Sequence, residues 1–183
     1  PGTVHGMYEI HKKFGKLSWE QLIQPSITLA SEGFRVTNEL AEALKSEQIK
    51  LGKFTNTKKI FFKNGEPLKK DDLLIQTDLA NTLKLIAIYG SDGFYKGETA
   101  QKIALDMSNN GGLITTEDLS EYYSKLRDPI IFNYKNLKIA SMPPPSSGGL
   151  LLGLMLNMLE NFDLSDDPND VKNILIISEI MQI

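Results

Sequence analysis

Cysteine is absent from the 183 residues, so no disulfide, thiolate-bound zinc or thiol nucleophile resides in them, while the compartment stays open. No apolar run is long enough to make a membrane-spanning helix. Positive charge is not in surplus either. The formal net charge is −3 and the isoelectric point about 5.5, which excludes the overall basic field of a nucleic-acid binder. Lys58-Lys59 and Lys69-Lys70 read as solvated faces, and no nucleic-acid partner is expected. Histidine is scarce. His5 and Glu9 stand one helical turn apart, but His11 falls on another face and no further histidine exists, so no metal site is expected. The opening Pro1-Gly2-Thr3-Val4 lacks the basic-then-apolar order of a signal peptide, and the chain stops at Ile183 without a capping residue. The expectation is an internal piece of a longer protein.

What is present is a succession of helix signals. Val4 to Phe14 carries a helical stripe closed by Gly15. Ser18 with Gln21 makes a capping box, Pro25 reads as the first residue of a new helix to Ser31, and Gly33 is its stop. Phe34-Arg35-Val36 is a short extended link, and Thr37 caps a third helix with Leu40, Ala41 and Leu44 on its buried stripe. Ile60-Phe61-Phe62 before Asn64-Gly65 reads as a surface strand or hairpin. Thr77 then caps a helix with Leu79, Leu83, Ile86 and Ala87 on one face, ending at Gly90. Another carries Ala100, Ile103, Ala104 and Met107 to Asn110-Gly111-Gly112, and Thr115 with Asp118 opens a short one.

From Pro129 the period changes to two. Ile130, Phe132 and Tyr134, then Leu137, Ile139 and Ser141, predict a β-hairpin turning at Tyr134-Lys135-Asn136. The chain divides on this reading into a helical region, 1–128, and a hairpin with buried helices, 129–183. Between the hairpin and its following helix lies Pro143-Pro144-Pro145-Ser146-Ser147-Gly148-Gly149. Prolines lack N–H donors, so the strand ends there in a stiff, extended connection. Ser146 and Ser147 can accept from the free N–H groups of a helix start, and the glycines let another backbone come close. Leu150 to Leu159 is apolar around nearly its whole circumference, the pattern of a helix buried on most sides. An exposed loop, 165–170, and a further apolar helix from Val171 follow.

Chemistry is harder to find. Glu117 and Asp118 are adjacent on a helix and point about 100° apart, so they cannot share a proton. Thr115-Thr116 is explained as a cap. Ser146-Ser147 has the local geometry of a site as well as of a joint, and both readings stand on the residues alone. The overall class is α/β in the α+β sense, mostly helical.

Several segments occur in a telling order: Pro1-Gly2-Thr3-Val4-x-Gly6, Pro25-x-x-x-Leu29-Ala30-x-x-Gly33-Phe34, Phe94-Tyr95-Lys96-Gly97, and Asn110-Gly111-Gly112-Leu113-Ile114-Thr115-x-Glu117-Asp118-Leu119. Met142 to Gly149 and Leu156 to Phe162 complete the set. Together they resemble the large chain of γ-glutamyltranspeptidases, also called glutathione hydrolases, across essentially the whole length. His5 stands where that family usually has a small residue. The resemblance implies an N-terminal-nucleophile hydrolase with a four-layer αββα core, made from a precursor that cuts itself. The exposed Thr of the small chain, its own α-amine acting as base, attacks γ-glutamyl amides such as glutathione, and water, an amino acid or a peptide resolves the acyl-enzyme.

The resemblance places that Thr beyond Ile183 and the substrate-binding Arg before Pro1. It therefore implies no catalytic, substrate-binding or metal residue among these 183, and no cofactor. Pro143, Pro144, Pro145, Ser146, Ser147, Gly148 and Gly149 are a structural joint near the core. The implied partners are the small catalytic chain and γ-glutamyl compounds, and the implied location is periplasmic or secreted. A related acylase or poly-γ-glutamate-processing enzyme, or a non-catalytic helical module, are the other readings.

Overall fold

The computed structural model describes residues 2–182 and divides into two compact units, one up to Ser124 and one from Lys125 on. Among the described residues the fold is mostly helical, with three small antiparallel strand pairs.

The first unit opens with α1 (Gly2–Phe14), which Gly15 closes by donating to the His11 carbonyl at 2.7 Å. Ser18 then caps α2 (Trp19–Glu32) through the expected reciprocal box. The Gln21 N–H donates to Ser18 Oγ at 3.2 Å and the Ser18 N–H to Gln21 Oε1 at 3.0 Å. Pro25 does not start a new helix; α2 runs through it unbroken. The proline removes one donor, but the helix is held on both sides of it. Trp19 Nε1 donates to the Ile86 carbonyl at 2.8 Å before it, and Ile27 and Ala30 are buried after it. Gly33, at φ 82°, ends α2 where a side chain would strike Ile75 and the Leu74 carbonyl.

The extended link is a strand, β1 (Phe34–Arg35). Thr37 caps α3 (Asn38–Ser46) by accepting from Leu40 N–H, and α4 (Gln48–Leu51) follows. Ile60 and Phe61, expected in a strand, belong to a helix, α5 (Thr55–Phe61). Both pack on the core of Val36, Leu44, Leu68 and Leu74, and that packing overrides their strand preference. Phe62 alone of the trio pairs, in the hairpin β2 (Phe62–Lys63) and β3 (Glu66–Pro67). Its turn residues Asn64 and Gly65 take φ of 53° and 86°. β4 (Leu73–Leu74) pairs antiparallel with β1, Phe34 opposite Leu74.

Next come α6 (Thr77–Tyr89), α7 (Asp92–Tyr95), α8 (Gly97–Asn109) and α9 (Thr116–Ser120). Thr77 is the first helical residue of α6 and not its cap. Gln76 is fixed outside the helix because its N–H is held by the Ala30 carbonyl at 2.9 Å. Of the expected face of α6, Ile86 is buried and Leu83 and Ala87 are half-buried where the helix packs on α2, while Leu79 is exposed and Ala80 is buried instead. Tyr95, Ala100 and Leu119 form a second core with Val4, Phe94, Ile103, Ile114 and Tyr122 around it. Thr115 and Asp118 make the second capping box.

The second unit holds β5 (Ile130–Tyr134) and β6 (Leu137–Ser141), paired from Ile130 opposite Ser141 to Tyr134 opposite Leu137. The turn is therefore the two residues Lys135-Asn136, with Tyr134 still in the strand and Lys135 at φ 51°. α10 (Gly148–Leu159) lies on this hairpin and against α11 (Val171–Ile180). Within this chain α10 is not buried on most sides. Gly149 and Gly153 are covered, but Leu150, Leu151, Leu152 and Leu154 are exposed, because the hairpin and α11 occupy only part of its circumference. Asp170 caps α11, and the buried Asn173 ties down the preceding loop through Ser165 and Asp167. The expected continuation of α11 to Ile183 lies partly outside the described residues.

Candidate functional site

The residues singled out by sequence, Pro143 to Gly149, join β6 to α10. The strand stops at Ser141, as three donors lost in succession require. The connection is not extended. Prolines keep their carbonyls, and that of Pro143 accepts from the Ser146 N–H at 3.2 Å, which folds the segment into a turn; the Pro144–Pro145 peptide is cis. Ser146 Oγ accepts from the Gly148 N–H at 3.3 Å, so it serves the helix start as foreseen. Ser147, the capping residue by position, makes no side-chain cap bond.

The glycines of the joint differ in role. A side chain on Gly149 would collide with the Met142 main chain, whereas one on Gly148 would meet only Ser146 Oγ at 3.5 Å. Four residues on, a side chain on Gly153 would touch the Phe132 ring at 3.4 Å. Two small residues on one helical stripe thus seat α10 on the hairpin. Ser146 and Ser147 are exposed, and neither has a base among its hydrogen-bond partners. Without one, a serine hydroxyl is a weak nucleophile.

The other residues with chemical potential are engaged elsewhere. His5 Nδ1 accepts from the Ser124 N–H at 3.2 Å and lies 2.8 Å from Ser124 Oγ. The Ser124 main chain and side chain thus both close on one ring nitrogen of His5. The His5 ring stands edge-on to Tyr95 and Tyr122, which stack on each other at 5.3 Å, and the His5 N–H donates to the Tyr95 hydroxyl at 3.2 Å. Burial pushes the Tyr95 hydroxyl above its ordinary range, partly opposed by that N–H. This knot fastens α1 to α7 and to the segment that follows α9. Sequence reasoning missed it, since its members are 90 and 119 residues apart. His11 Nε2 donates to the Leu17 carbonyl at 2.8 Å and lies beside Trp19, so His5, Glu9 and His11 do not converge.

Thr115 and Asp118 satisfy each other: the Thr115 N–H and hydroxyl both donate to Asp118 Oδ2 at 2.9 Å, and the Asp118 N–H returns to Thr115 Oγ1 at 3.1 Å. These bonds hold the Asp118 carboxyl below its usual range, the Thr115 N–H contributing most. The Glu117 carboxyl is lowered too, by its own N–H and then by the Thr116 hydroxyl. Two carboxylates both pushed toward ionisation cannot act as an acid and base pair. A groove of about 600 Å³ between α6 and α8 is lined by Asp78, Leu85, Thr99, Lys102, Ile103 and Asp106. Lys102 is already paired with Glu98 at 2.7 Å.

Comparison with known proteins supplies the wider frame. A family model described as "Gamma-glutamyltranspeptidase" matches residues 1–183. The chain is 47% identical over 165 residues to the glutathione hydrolase proenzyme of Escherichia coli K12, covering 90% of this chain and 28% of that protein. The fold superposes on the crystal structure of Helicobacter pylori γ-glutamyltranspeptidase with a TM-score of 0.95 and 44% identity, covering 100% of this chain and 53% of that one. Against the transpeptidase enzyme CapD of Bacillus anthracis the TM-score is 0.86 with 35% identity, covering 100% of this chain and 63% of that one. The chain spans under a third of the length of the curated relatives it matches. With a family model matched from end to end, the chain belongs to the γ-glutamyltranspeptidase family.

Proposed function

We propose that this chain is part of a γ-glutamyltransferase, or glutathione hydrolase, that cleaves γ-glutamyl amides through a Thr-linked acyl-enzyme. The acyl group then passes to water, an amino acid or a peptide. The observation that carries this is the match to the family along all 183 residues together with a fold similar to the Helicobacter pylori enzyme. Thr115, an evident hydroxyl candidate here, is committed to its cap, which supports a nucleophile outside these residues.

In this reading residues 1–128 are the helical region of the large chain, and 129–183 contribute to one side of an αββα core. Pro143 to Gly149 set α10 at its angle, and the small catalytic chain of the same precursor covers the exposed leucines of α10. Substrates are glutathione or other γ-glutamyl compounds, no cofactor takes part, and the protein works in the periplasm or outside the cell. A second reading is a related acylase or poly-γ-glutamate-processing enzyme with the same core; likeness to the acylase ACY 1 proenzyme of Pseudomonas sp. V22, 38% identical over 90% of this chain and 29% of that protein, favours the acylase.

The test is to express the intact precursor and, separately, residues 1–183. Both are assayed with γ-glutamyl-p-nitroanilide, glutathione and a γ-linked polyglutamate, and the precursor's products are weighed by mass spectrometry. The expected result is self-cleavage into two chains, turnover of the small γ-glutamyl compounds, and none by residues 1–183 alone. Steady turnover by the pure fragment would place the nucleophile inside it, and preference for the polymer would select the second reading.

A further inference from the structure

The whole chain carries −3, yet residues 45–70 hold eight lysines against two glutamates, a local charge of +6. Every one of these lysines is exposed: Lys45, Lys50, Lys53, Lys58, Lys59, Lys63, Lys69 and Lys70. Acidic groups lie mainly on the side away from the α4–α5 corner: Glu42 and Glu66 line a groove with Lys45, Lys69 and Lys70, Asp72 pairs with Lys63 at 3.0 Å beside Asp71, and at the corner itself Glu47 pairs with Lys50 at 2.8 Å.

The apolar residues of the same segment divide in two. Leu51, Ile60 and Phe61 pack on the core of Val36, Leu44, Leu68 and Leu74. Ile49 and Phe54 do not: they are 77% and 64% exposed, on α4 and at the residue before α5. Lys50 and Lys53 are their sequence neighbours. Lys58 comes back to the same corner, its Cε 3.7 Å from where a Gly52 side chain would begin. A single exposed apolar residue needs no explanation. A large aromatic and an Ile projecting from the middle of a dense lysine field, next to a core that already takes their neighbours, do.

We propose that this α4–α5 corner is a peripheral docking surface for membranes rich in anionic lipid. The lysines are drawn to the headgroup phosphates, and their stems lie along the interface. Phe54 and Ile49 enter the boundary between headgroups and acyl chains. The chemistry favours a lipid surface over a nucleic acid, because residues 45–70 contain no arginine for forked phosphate or base contacts, and an exposed Ile offers nothing to a nucleotide.

The test is co-sedimentation of the intact protein with vesicles of phosphatidylcholine alone and with about a third phosphatidylglycerol, at low and high salt. Heparin and duplex DNA serve as competing polyanions. Binding to the anionic vesicles only, weakened by salt, is expected. A lysine near such a surface contributes about fivefold to partitioning, so the variant Lys50→Gln/Lys53→Gln/Lys58→Gln should bind at least tenfold more weakly. Phe54→Ser, which keeps every charge, should also lose several-fold. Lys102→Gln, on α8, should bind within twofold of the parent protein. Equal binding to both vesicle types overturns the proposal. So does a Phe54→Ser variant that binds anionic vesicles as well as the parent, or preference for heparin or DNA over vesicles, which would make the corner a polyanion site.

Discussion

Replacing Gly149 by Ala, with Gly148→Ala as its partner experiment, asks whether the close approach at the joint is what holds α10 in place. Neither glycine has a positive φ, so backbone strain is not at issue. A methyl group at 149 would sit inside contact distance of the Met142 carbonyl oxygen and 3.1 Å from both the carbonyl carbon and the nitrogen of that residue. Those atoms are main chain between a paired strand and a proline, and they cannot rotate away. Overpacking of this kind costs about 1–3 kcal/mol. Against it stands the gain in helix propensity of Ala over Gly, at most about 1 kcal/mol and less in a first turn. The steric loss wins at 149. At 148 the nearest atom is Ser146 Oγ at 3.5 Å, an ordinary contact, so only the propensity gain remains.

The two variants should therefore move in opposite directions, with a gap of about 2 kcal/mol, or about thirtyfold in the local opening equilibrium. Amide hydrogen exchange along α10 in the intact protein reads that equilibrium directly. Equal protection in the two variants, or greater loss in Gly148→Ala, would refute the account of the joint.

Pro25→Ala restores the N–H that α2 lacks opposite the Gln21 carbonyl; an interior proline costs about 3 kcal/mol, while the freer unfolded chain gives back about 1. A net stabilisation of about 1–2 kcal/mol is expected from a urea titration, and a destabilised variant would show that the helix depends on the bend the proline imposes. Thr115→Ala removes the cap of α9 and should cost about 1 kcal/mol at neutral pH. The Asp118 carboxyl titrates lower in the folded than in the unfolded chain. Its contribution is thus full above about pH 4 and is lost as the pH falls through the lowered value. Thermal melts across that range should show the gap between parent and variant closing in acid; a gap unchanged with pH would detach Asp118 from the cap.

What could be read from sequence follows the reach of the interaction. The boxes at Ser18 with Gln21 and Thr115 with Asp118, and the cap at Thr37, close within three residues and were all foreseen. So was the close backbone approach at Gly149, whose partner is Met142. The continuity of α2 through Pro25 was not, because the contacts that hold it include a bond from Trp19 to Ile86, 67 residues away. Nor was the pairing of Phe34 with Leu74, or the His5, Tyr95 and Ser124 knot. The bend of the proline joint escaped for a different reason: reasoning from missing donors overlooked the remaining acceptor, the Pro143 carbonyl that Ser146 finds.

α10 is the instructive disagreement. Its apolar residues surround the helix, and a helix of that pattern is buried on more than one side. In this chain only the stripe through Gly149 and Gly153 is fully buried, while Leu150, Leu151 and Leu154 face outward. The two observations concern different bodies. Residue pattern reports the environment a helix is built for, and exposure reports the part of it that these residues supply. The stripe of small residues belongs to the side the chain provides, where backbone meets backbone at Met142 and a ring meets a glycine at Phe132. The leucines belong to a side that needs bulk to fill a space, and large apolar surface of this kind marks an interface. In the curated relatives the matched span is under a third of the length, and the rest is long enough to supply such a second side there.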